Sequence, residues 1–281
     1  MPRWFDETLY PTQRQSFRVD RELYRGRSEF QEILIFENET VGRVLALDGV
    51  VQLTTRDEHV YHEMLTHLPL LAHGAARNVL IIGGGDGGIL EEALKHPIAR
   101  AVMVEIDGLV IEQCRRHLDL VCGRAFEDPR TELIVGDGVR FMAETQERFD
   151  LIVVDSTDPV GPAVELFGED FFGNARDRLT ERGVLVTQNG VPFFQPQEIT
   201  DTYAKRKNLF PRTGFYAAAI PTYYGGFMAL GWASKSLDLA APDRSAIAAR
   251  HAELGIATHY YNPDIHVAAF ALPSFVQALM K

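Results

Sequence analysis

The sequence predicts an α/β protein in which a doubly wound parallel sheet follows a small antiparallel β module. Short apolar runs alternate with helical patterns from about residue 79 onward, as β-α-β units require. The preceding 55 residues instead contain short β-rich runs separated by turn residues. The chain has 281 residues, which is enough for one large domain with a smaller module.

The β module is predicted from residues 30–36, 41–47 and 50–53, which are apolar runs of strand length. Asp48-Gly49 separates the last two runs, and aspartate-glycine between β-rich runs is a strong hairpin signal. We therefore expect residues 1–55 to form an N-terminal β domain and residues 56–281 to form the larger domain.

A helix is predicted next, because Thr55 and Glu58 have the spacing of a capping box. Apolar residues then recur at helical spacing at Tyr61, Met64, Leu65 and Leu68. Pro69 is expected to kink or shorten this helix, and Leu70 and Leu71 are expected to be buried.

The alternating region follows. Continuous apolar runs predict buried parallel strands at 79–82, 101–104, 133–135, 151–154 and 184–186. The segments between them predict helices at 89–95, 109–118, 139–145 and 175–179. Residues 215–220 and 226–233 lack a helical pattern and are predicted to be later antiparallel strands.

Composition narrows the class of protein. The formal net charge of -11 argues against nucleic-acid binding, which needs clustered Lys and Arg. Cys114 and Cys122 have neither C-x-x-C nor zinc spacing, so we expect free thiols in a reducing compartment. No secretory signal and no apolar run of membrane-spanning length is evident. We expect a cytoplasmic protein.

The candidate site lies at the predicted strand ends, since ligands of open α/β sheets bind there. Residues 83–88 read GGGDGG and satisfy G-x-G-x-x-G, the nucleotide-binding loop. Glu105 follows about 20 residues later, where an acid typically binds ribose hydroxyls. Asp137 follows the third strand, where it could accept from an adenine amine or serve as an ordinary turn residue.

Asp86 distinguishes the possible ligands, because a carboxylate in the loop repels the pyrophosphate of a dinucleotide. S-adenosylmethionine offers an ammonium to Asp86, but its carboxylate is also repelled. Decarboxylated S-adenosylmethionine carries only positive charge at that end. Asp86 could instead point away and cap the following helix.

Asp155 and Asp158 follow the fourth strand and could serve as acid or base, metal ligands or cation anchors. The nearby His62-Glu63 and His67 are one residue too long for H-E-x-x-H, so we expect no metal. Anchoring an alkyl diammonium needs carboxylates and aromatic walls. The available aromatic residues are Tyr61, Tyr223 and Tyr224.

A series of motifs in this order resembles the spermidine synthases, the polyamine aminopropyltransferases. The motifs are LDGVVQLTTRDEHVYHEMLTH, VLIIGGGDGG, MVEID, GDG, FDLIVVDSTDPVGPAVELF, IPTYYGGFM and YYNPDIHVAAFALP. The resemblance extends from about Gln31 to Pro273. It implies a Rossmann-like domain of the methyltransferase type beside the β domain, and a homodimer or homotetramer.

The resemblance also implies the reaction, which is aminopropyl transfer from decarboxylated S-adenosylmethionine to putrescine. This gives spermidine and methylthioadenosine and requires no cofactor, because the sulfonium compound is a co-substrate. Asp155 would accept the proton of the attacking amine, and Asp86 would bind the aminopropyl ammonium. The implied adenosine-binding residues are Gln31, Glu105, Asp137, Gly138 and Pro162. The implied diamine-binding residues are Tyr61, His62, Ser156, Thr157, Asp158, Gln188 and Tyr223. Residues 159–168 match the mobile lid of the family.

Three alternatives stay open at this point. An S-adenosylmethionine-dependent methyltransferase shares the fold and Glu105. An NAD-dependent oxidoreductase shares the glycine loop, although Asp86 argues against it. A non-catalytic polyamine-binding protein accounts for the acids but not for the nucleotide loop. Within the aminopropyltransferases, cadaverine or a longer polyamine could replace putrescine as acceptor.

Overall fold

The computed structural model describes residues 2–7, 9–158 and 161–281, without the side chains of residues 161 and 162. The N-terminal part is antiparallel. It contains a two-stranded sheet of β1 (Arg3–Glu7) and β2 (Gln15–Val19), and a four-stranded sheet of β3 (Arg21–Arg27), β4 (Glu32–Asn38), β5 (Gly42–Leu47) and β6 (Val50–Thr54). The predicted hairpin is confirmed, because β5 pairs with β6 around Asp48 and Gly49, with φ of 47° and 80°.

The larger sheet has seven strands in the order β12-β13-β11-β10-β7-β8-β9. The parallel strands are β7 (Asn78–Gly83), β8 (Arg100–Glu105), β9 (Thr131–Val135), β10 (Phe149–Asp155) and β11 (Leu179–Gln188). The antiparallel strands are β12 (Arg212–Ala219) and β13 (Phe227–Ser234). The predicted fold class is confirmed. Strand order reverses between β7 and β10, which is the switch point where such sheets bind ligands.

Helices follow the strands. They are α1 (Glu58–His73), α2 (Gly88–Leu94), α3 (Gly108–His117), α4 (Asp119–Cys122), α5 (Gly138–Glu144), α6 (Glu169–Arg178), α7 (Pro196–Arg206), α8 (Arg244–Leu254), α9 (Pro263–Ala268) and α10 (Ser274–Ala278). Residues Ala125–Glu127 and Gly161–Phe167 form 3₁₀ helices. Across the part of the chain described here, none of the helices has the length and apolar character needed to cross a membrane.

Both faces of the sheet are buried, which accounts for the continuous apolar runs. Val79 and Ile81 of β7 belong to a core that includes residues of α1 and α2. Leu80 and Ile82 of the same strand belong to a second core with Phe171 of α6. Alternate residues of one strand therefore pack against opposite helical layers, and no position of the run can be polar.

The predicted capping box is wrong. The helix begins at Glu58 after Asp57, and Thr55 Oγ1 instead accepts from the backbone N–H of Arg43 at 3.0 Å. The Asp57 carboxylate accepts from the Thr222 N–H at 2.8 Å. Tertiary contacts of the turn between β6 and α1 thus outweigh the local capping pattern.

Pro69 does not shorten α1, which continues to His73 and ends at Gly74 in the left-handed conformation. Leu70 and Leu71 are buried as predicted. Burial of this last turn against the sheet offsets the hydrogen bond that proline removes. The helix predicted at 175–179 is displaced, because α6 spans Glu169–Arg178 and residue 179 begins β11.

Candidate active site

A cavity of about 760 Å³ lies at the carboxyl ends of β7 and β10 and extends to the N-terminal strands. Carboxylates dominate its polar lining, and they come from both parts of the chain. They include Glu7, Asp86, Glu105, Asp137, Asp155 and Asp158. Such a cavity suits a ligand with several positive charges and an extended apolar stem.

The glycine loop lies directly against the backbone of Asp155 and the side chain of His62. Gly83 has φ of 84°, and a Cβ there would lie 2.0 Å from the Asp155 carbonyl oxygen. A Cβ on Gly88 would lie 2.2 Å from the His62 ring. Glycine is therefore required at both positions, so that β10 and α1 can approach the loop.

Asp155, at the end of β10, is joined to α1 by a short hydrogen bond. Tyr61 donates its hydroxyl hydrogen to Asp155 Oδ1 across 2.5 Å. Burial, and then the nearby charge of Asp86, raise the pKa of Asp155, while His62 and Tyr61 partly oppose this rise. A carboxyl with a raised pKa is suited to accept and release a proton near neutral pH.

His62, the residue after Tyr61 in α1, lies between two acids. Its Nδ1 is 2.6 Å from Glu58 Oε2, and its Nε2 is 3.4 Å from Asp86 Oδ1. Burial alone would lower the pKa of His62, but the charges of Asp86 and Glu58 outweigh it and raise the pKa to about 10. His62 is therefore an imidazolium in the free protein at neutral pH.

One polar atom from each of His62, Asp86 and Asp155 lies within 4.8 Å of the others. This spacing is close enough for a metal ion, which would first have to displace the proton of the His62 imidazolium before the ring could coordinate it. The expectation that the protein uses no metal stays a prediction.

The sequence left open whether Asp86 faces the ligand or caps the following helix, and the structure allows both. Its Oδ1 accepts from the N–H of Gly88, the first residue of α2, at 2.7 Å. The same oxygen faces His62, so the side chain holds the helix start without leaving the cavity. Asp86 thus remains available to a cation that enters the glycine loop.

Glu105, at the end of β8, lies in the cavity wall and is buried. Its Oε1 accepts from the N–H of Asp107 at 2.8 Å, and burial raises its pKa to about 7. Gln31 does not contact Glu105 by a hydrogen bond within the described residues, but its Nε2 donates to Asp107 Oδ2 at 2.9 Å. Asp107 therefore connects Glu105 with Gln31, since its N–H donates to Glu105 and its carboxylate accepts from Gln31. The sequence did not point to Asp107.

Asp137 is exposed and caps α5 through its Oδ1, which accepts from the Val139 N–H at 2.8 Å. The turn interpretation therefore holds, although Asp137 and Gly138 also line the cavity. Gly138 packs close to Ile82, since a Cβ there would lie 2.4 Å from its side chain. The Pro162 side chain lies outside the described residues, as do residues 159 and 160 of the predicted lid.

The segment after Asp155 is held from β11. Gln188 Nε2 donates to the Ser156 carbonyl at 3.2 Å, and Ser156 Oγ donates to the Thr157 carbonyl at 3.0 Å. Asp158 Oδ2 accepts from Gln195 Nε2 at 2.8 Å, and burial raises the pKa of Asp158. These bonds fix the chain around the Ser156 carbonyl, beside the Asp155 side chain.

Two tyrosines form an aromatic wall. The rings of Tyr61 and Tyr223 meet edge to face with centroids 5.9 Å apart. The Tyr223 hydroxyl donates to the Gln52 carbonyl at 2.5 Å, which ties this wall to the N-terminal sheet.

Two acids that the sequence did not point to, Glu7 and Glu198, lie near Asp158, and we call these three residues the distal acid group. Gln195 Nε2 also donates to Glu198 Oε1 at 2.9 Å. The Tyr10 ring packs on Phe194 and Tyr224, with centroids 4.9 and 5.4 Å away. Within the described residues, buried oxygens of Glu7, Tyr10 and Glu198 have no hydrogen-bond partner. No motif marks these residues, because they come from separate segments.

Comparisons with known proteins show the family to which the chain belongs. Residues 58–241 match the family model of the spermine/spermidine synthase domain, and residues 3–55 match the spermidine synthase tetramerisation domain. The chain is 52% identical to polyamine aminopropyltransferase 1 of Pseudomonas aeruginosa, over 99% of this chain and 98% of that protein. It is 50% identical to a polyamine aminopropyltransferase of Ruegeria, over 98% of each.

Solved structures give the same result. A spermidine synthase in complex with the transition state analogue AdoDATO is 37% identical with a TM-score of 0.94, covering 100% of this chain and 96% of that one. Spermidine synthase from Thermotoga maritima is 36% identical with a TM-score of 0.91, covering 100% and 95%.

The fold and the site thus define a Rossmann-like transferase with an acidic, amine-accepting cavity. The chain belongs to the spermidine synthase family, the polyamine aminopropyltransferases, and it is an aminopropyltransferase. The resemblance seen in the sequence is confirmed. Family membership favours aminopropyl transfer over the methyl transfer, hydride transfer and polyamine binding considered above.

Proposed function

We propose that this protein transfers the aminopropyl group of decarboxylated S-adenosylmethionine to putrescine, forming spermidine and methylthioadenosine. The observation that carries the proposal is the position of Asp155. It is bonded to Tyr61 and stands between Asp86 and the segment that leads to Asp158. Asp155 thus has Asp86, for the aminopropyl ammonium, on one side. On the other side it has Asp158, for the distal ammonium of the diamine.

The reaction is a displacement at carbon. The acceptor nitrogen forms a bond to the aminopropyl carbon, and the carbon–sulfur bond breaks with its electron pair moving to sulfur. An alkylammonium has a pKa of about 10.4, so the attacking nitrogen must first lose a proton. Asp155 accepts that proton, and the Ser156 carbonyl accepts a hydrogen bond from the same nitrogen. Positioning of both substrates supplies much of the remaining acceleration.

The adenosine part is assigned to the β8 and β9 side of the cavity. Glu105 accepts from the ribose hydroxyls once its carboxyl is ionised. Gln31 helps to hold Glu105 in place, because it donates to Asp107, whose N–H donates to Glu105. Asp137 accepts from the adenine amine through its second oxygen, while Gly138 lets the adenine approach the chain. Pro162 completes this subsite in the proposal.

The diamine is assigned to the opposite side. Tyr61 and Tyr223 flank its methylene stem, with His62, Thr157 and Gln188 around them. Asp158 binds the distal ammonium, supported by the rest of the distal acid group. The unpartnered oxygens of Glu7 and Tyr10, which line the cavity, favour a cation at this end.

Acceptor choice is tested with purified protein, decarboxylated S-adenosylmethionine and an equimolar mixture of ¹³C-labelled putrescine, unlabelled cadaverine and unlabelled spermidine. We expect mass spectrometry to find ¹³C-labelled spermidine as the main product. If the dominant product is formed from cadaverine or from spermidine, that amine and not putrescine is the preferred acceptor. Methylated products alone would contradict aminopropyl transfer.

Assembly and location complete the proposal. The match of residues 3–55 to a tetramerisation domain supports a homodimer or homotetramer, which light scattering of the purified protein tests. We place the domain boundary at residue 55, between the end of β6 and the start of α1. The two cysteines are free and buried, which suits the proposed cytoplasmic location.

A further inference from the structure

The His62 ring lies between Tyr61 of the proposed diamine site and Asp86, to which the aminopropyl ammonium is assigned. It is only 2% exposed, and the Gly88 backbone lies against one edge of it. Its two nitrogens face Glu58 Oε2 at 2.6 Å and Asp86 Oδ1 at 3.4 Å. The ring therefore stays beside Asp86, whether or not a ligand is bound.

The groups facing His62 come from three elements. Glu58 and Tyr61 lie on α1, Asp86 lies in the glycine loop and Asp155 ends β10. The charges among them are carboxylates, so the imidazolium is the cation that balances Asp86 in the free protein. A substrate ammonium directed at Asp86 then meets a like charge already in place, and like charges oppose each other at this range.

We propose that His62 is the resident counter-ion of Asp86, and that it gives its proton to Glu58 when the aminopropyl ammonium binds. The proposal rests on the proposed function, because it assigns the ammonium to Asp86. The N–H bond at Nδ1 breaks and its electron pair stays on the ring. The proton moves to Glu58 Oε2 and then to water, which reaches Glu58 because its side chain is 17% exposed.

Neutral His62 keeps its Nε2–H directed at Asp86, and the ionised Glu58 carboxylate turns toward solvent, away from the Nδ1 lone pair. The ring thus loses its charge, and the incoming ammonium takes over the balancing charge. Glu58 is a positioning residue in this exchange, since it acts on the substrate only through His62. The expected signature is a proton released on binding, before any chemistry.

Proton release is measured with a pH indicator in weakly buffered solution, with decarboxylated S-adenosylmethionine added to the enzyme without a diamine. Methylthioadenosine, which lacks the aminopropyl group, is the reference ligand. The measurement is made near pH 8.5, well above the pKa of about 7 of Glu105, so that this carboxyl is already ionised. We expect more proton release with the sulfonium ligand than with methylthioadenosine.

Linkage gives a second readout, because a ligand whose binding releases protons binds more tightly as pH rises. The affinity for decarboxylated S-adenosylmethionine should rise with pH more steeply than that for methylthioadenosine. Glu58→Gln and His62→Gln should remove most of this difference. Glu91→Gln is the matched control, since Glu91 lies near Glu58 but pairs with Lys95 at 2.9 Å.

Imidazole ¹⁵N shifts of His62, assigned with His62→Gln, should change from imidazolium to neutral when the sulfonium ligand binds. Equal proton release by both ligands, or an imidazolium that persists in the complex, would overturn the exchange. A turnover assay keeps the two proposals apart. Spermidine formation without differential release rejects the exchange alone, and differential release without spermidine formation rejects the proposed reaction alone.

Discussion

The Tyr61 hydroxyl and the Asp155 carboxylate are 2.5 Å apart, although they come from a helix and a strand separated by 94 positions in the sequence. Burial and the charge of Asp86 raise the pKa of Asp155, and the charge of His62 and the bond to Tyr61 oppose this rise. Together, His62 and Tyr61 favour the ionised form in which Asp155 can act as a base.

Replacing Asp155 with asparagine should lower kcat by about 10²–10⁴, the usual contribution of a general base. Near pH 8.5, where Glu105 is ionised with or without the Asp155 charge that helps raise its pKa, methylthioadenosine should bind with nearly unchanged affinity. Steady-state kinetics and calorimetry measure the two quantities. Near-normal turnover would remove Asp155 from the role of base.

Tyr61→Phe tests the hydrogen bond while keeping the aromatic ring. Loss of the hydroxyl should raise the pKa of Asp155 further, because the bond to Tyr61 lowers it. Activity requires ionised Asp155, so the acidic limb of the kcat–pH profile should move to higher pH. A profile that falls in height without moving would indicate that the hydroxyl only positions the substrate.

Asp86→Asn should weaken decarboxylated S-adenosylmethionine far more than methylthioadenosine, since only the former carries the aminopropyl ammonium. Asparagine is the suitable change, because its side-chain oxygen can still accept from the Gly88 N–H that Asp86 holds at 2.7 Å. Binding of both ligands is measured by calorimetry. Equal weakening of the two would mean that the loop, and not the charge, was damaged.

Glu105 should make adenosine binding depend on pH. Its pKa is raised to about 7, and the ionised form is the stronger acceptor for the two ribose hydroxyls. Affinity for methylthioadenosine should therefore increase as pH rises through about 7. Glu105→Gln should bind more weakly and show a flatter profile, whereas a flat profile in the native enzyme would exclude this role.

Glu7→Gln should raise the KM for putrescine about ten- to hundred-fold, the equivalent of losing a charge-assisted hydrogen bond of about 1.5–3 kcal/mol. Methylthioadenosine binding should not change, because Glu7 belongs to the distal acid group. Glu39→Gln is the control, since Glu39 is exposed and pairs only with Arg18 among the described residues. An unchanged KM would separate Glu7 from the acceptor.

The sequence predicted the strand ends well because parallel strands bring their carboxyl ends to one edge, whatever the loops do. Asp86, Glu105 and Asp155 could be selected on that ground alone. Glu7, Tyr10 and Glu198 could not, because an N-terminal strand, a turn and a distant helix meet only in the folded chain. The role of Glu58 was likewise hidden, since a first-turn acid is an ordinary helix feature.

Glu63 supports a final prediction about stability, and it accounts for the YYNPDIH motif to which the sequence analysis gave no role. It is 1% exposed, and its carboxylate accepts from three backbone N–H groups, those of His259, Tyr260 and Tyr261, at 2.6, 2.9 and 2.6 Å. These bonds hold the C-terminal segment against α1.

Glu63→Ala should lower the free energy of unfolding by about 3 kcal/mol or more, because each amide left unpaired costs about 1–3 kcal/mol. Glu63→Gln should lose less, since one amide oxygen remains to accept. Urea unfolding followed by circular dichroism measures the change, with Glu253→Gln as an exposed control on α8. A loss no larger than that of the control would show that the segment docks through its apolar contacts alone.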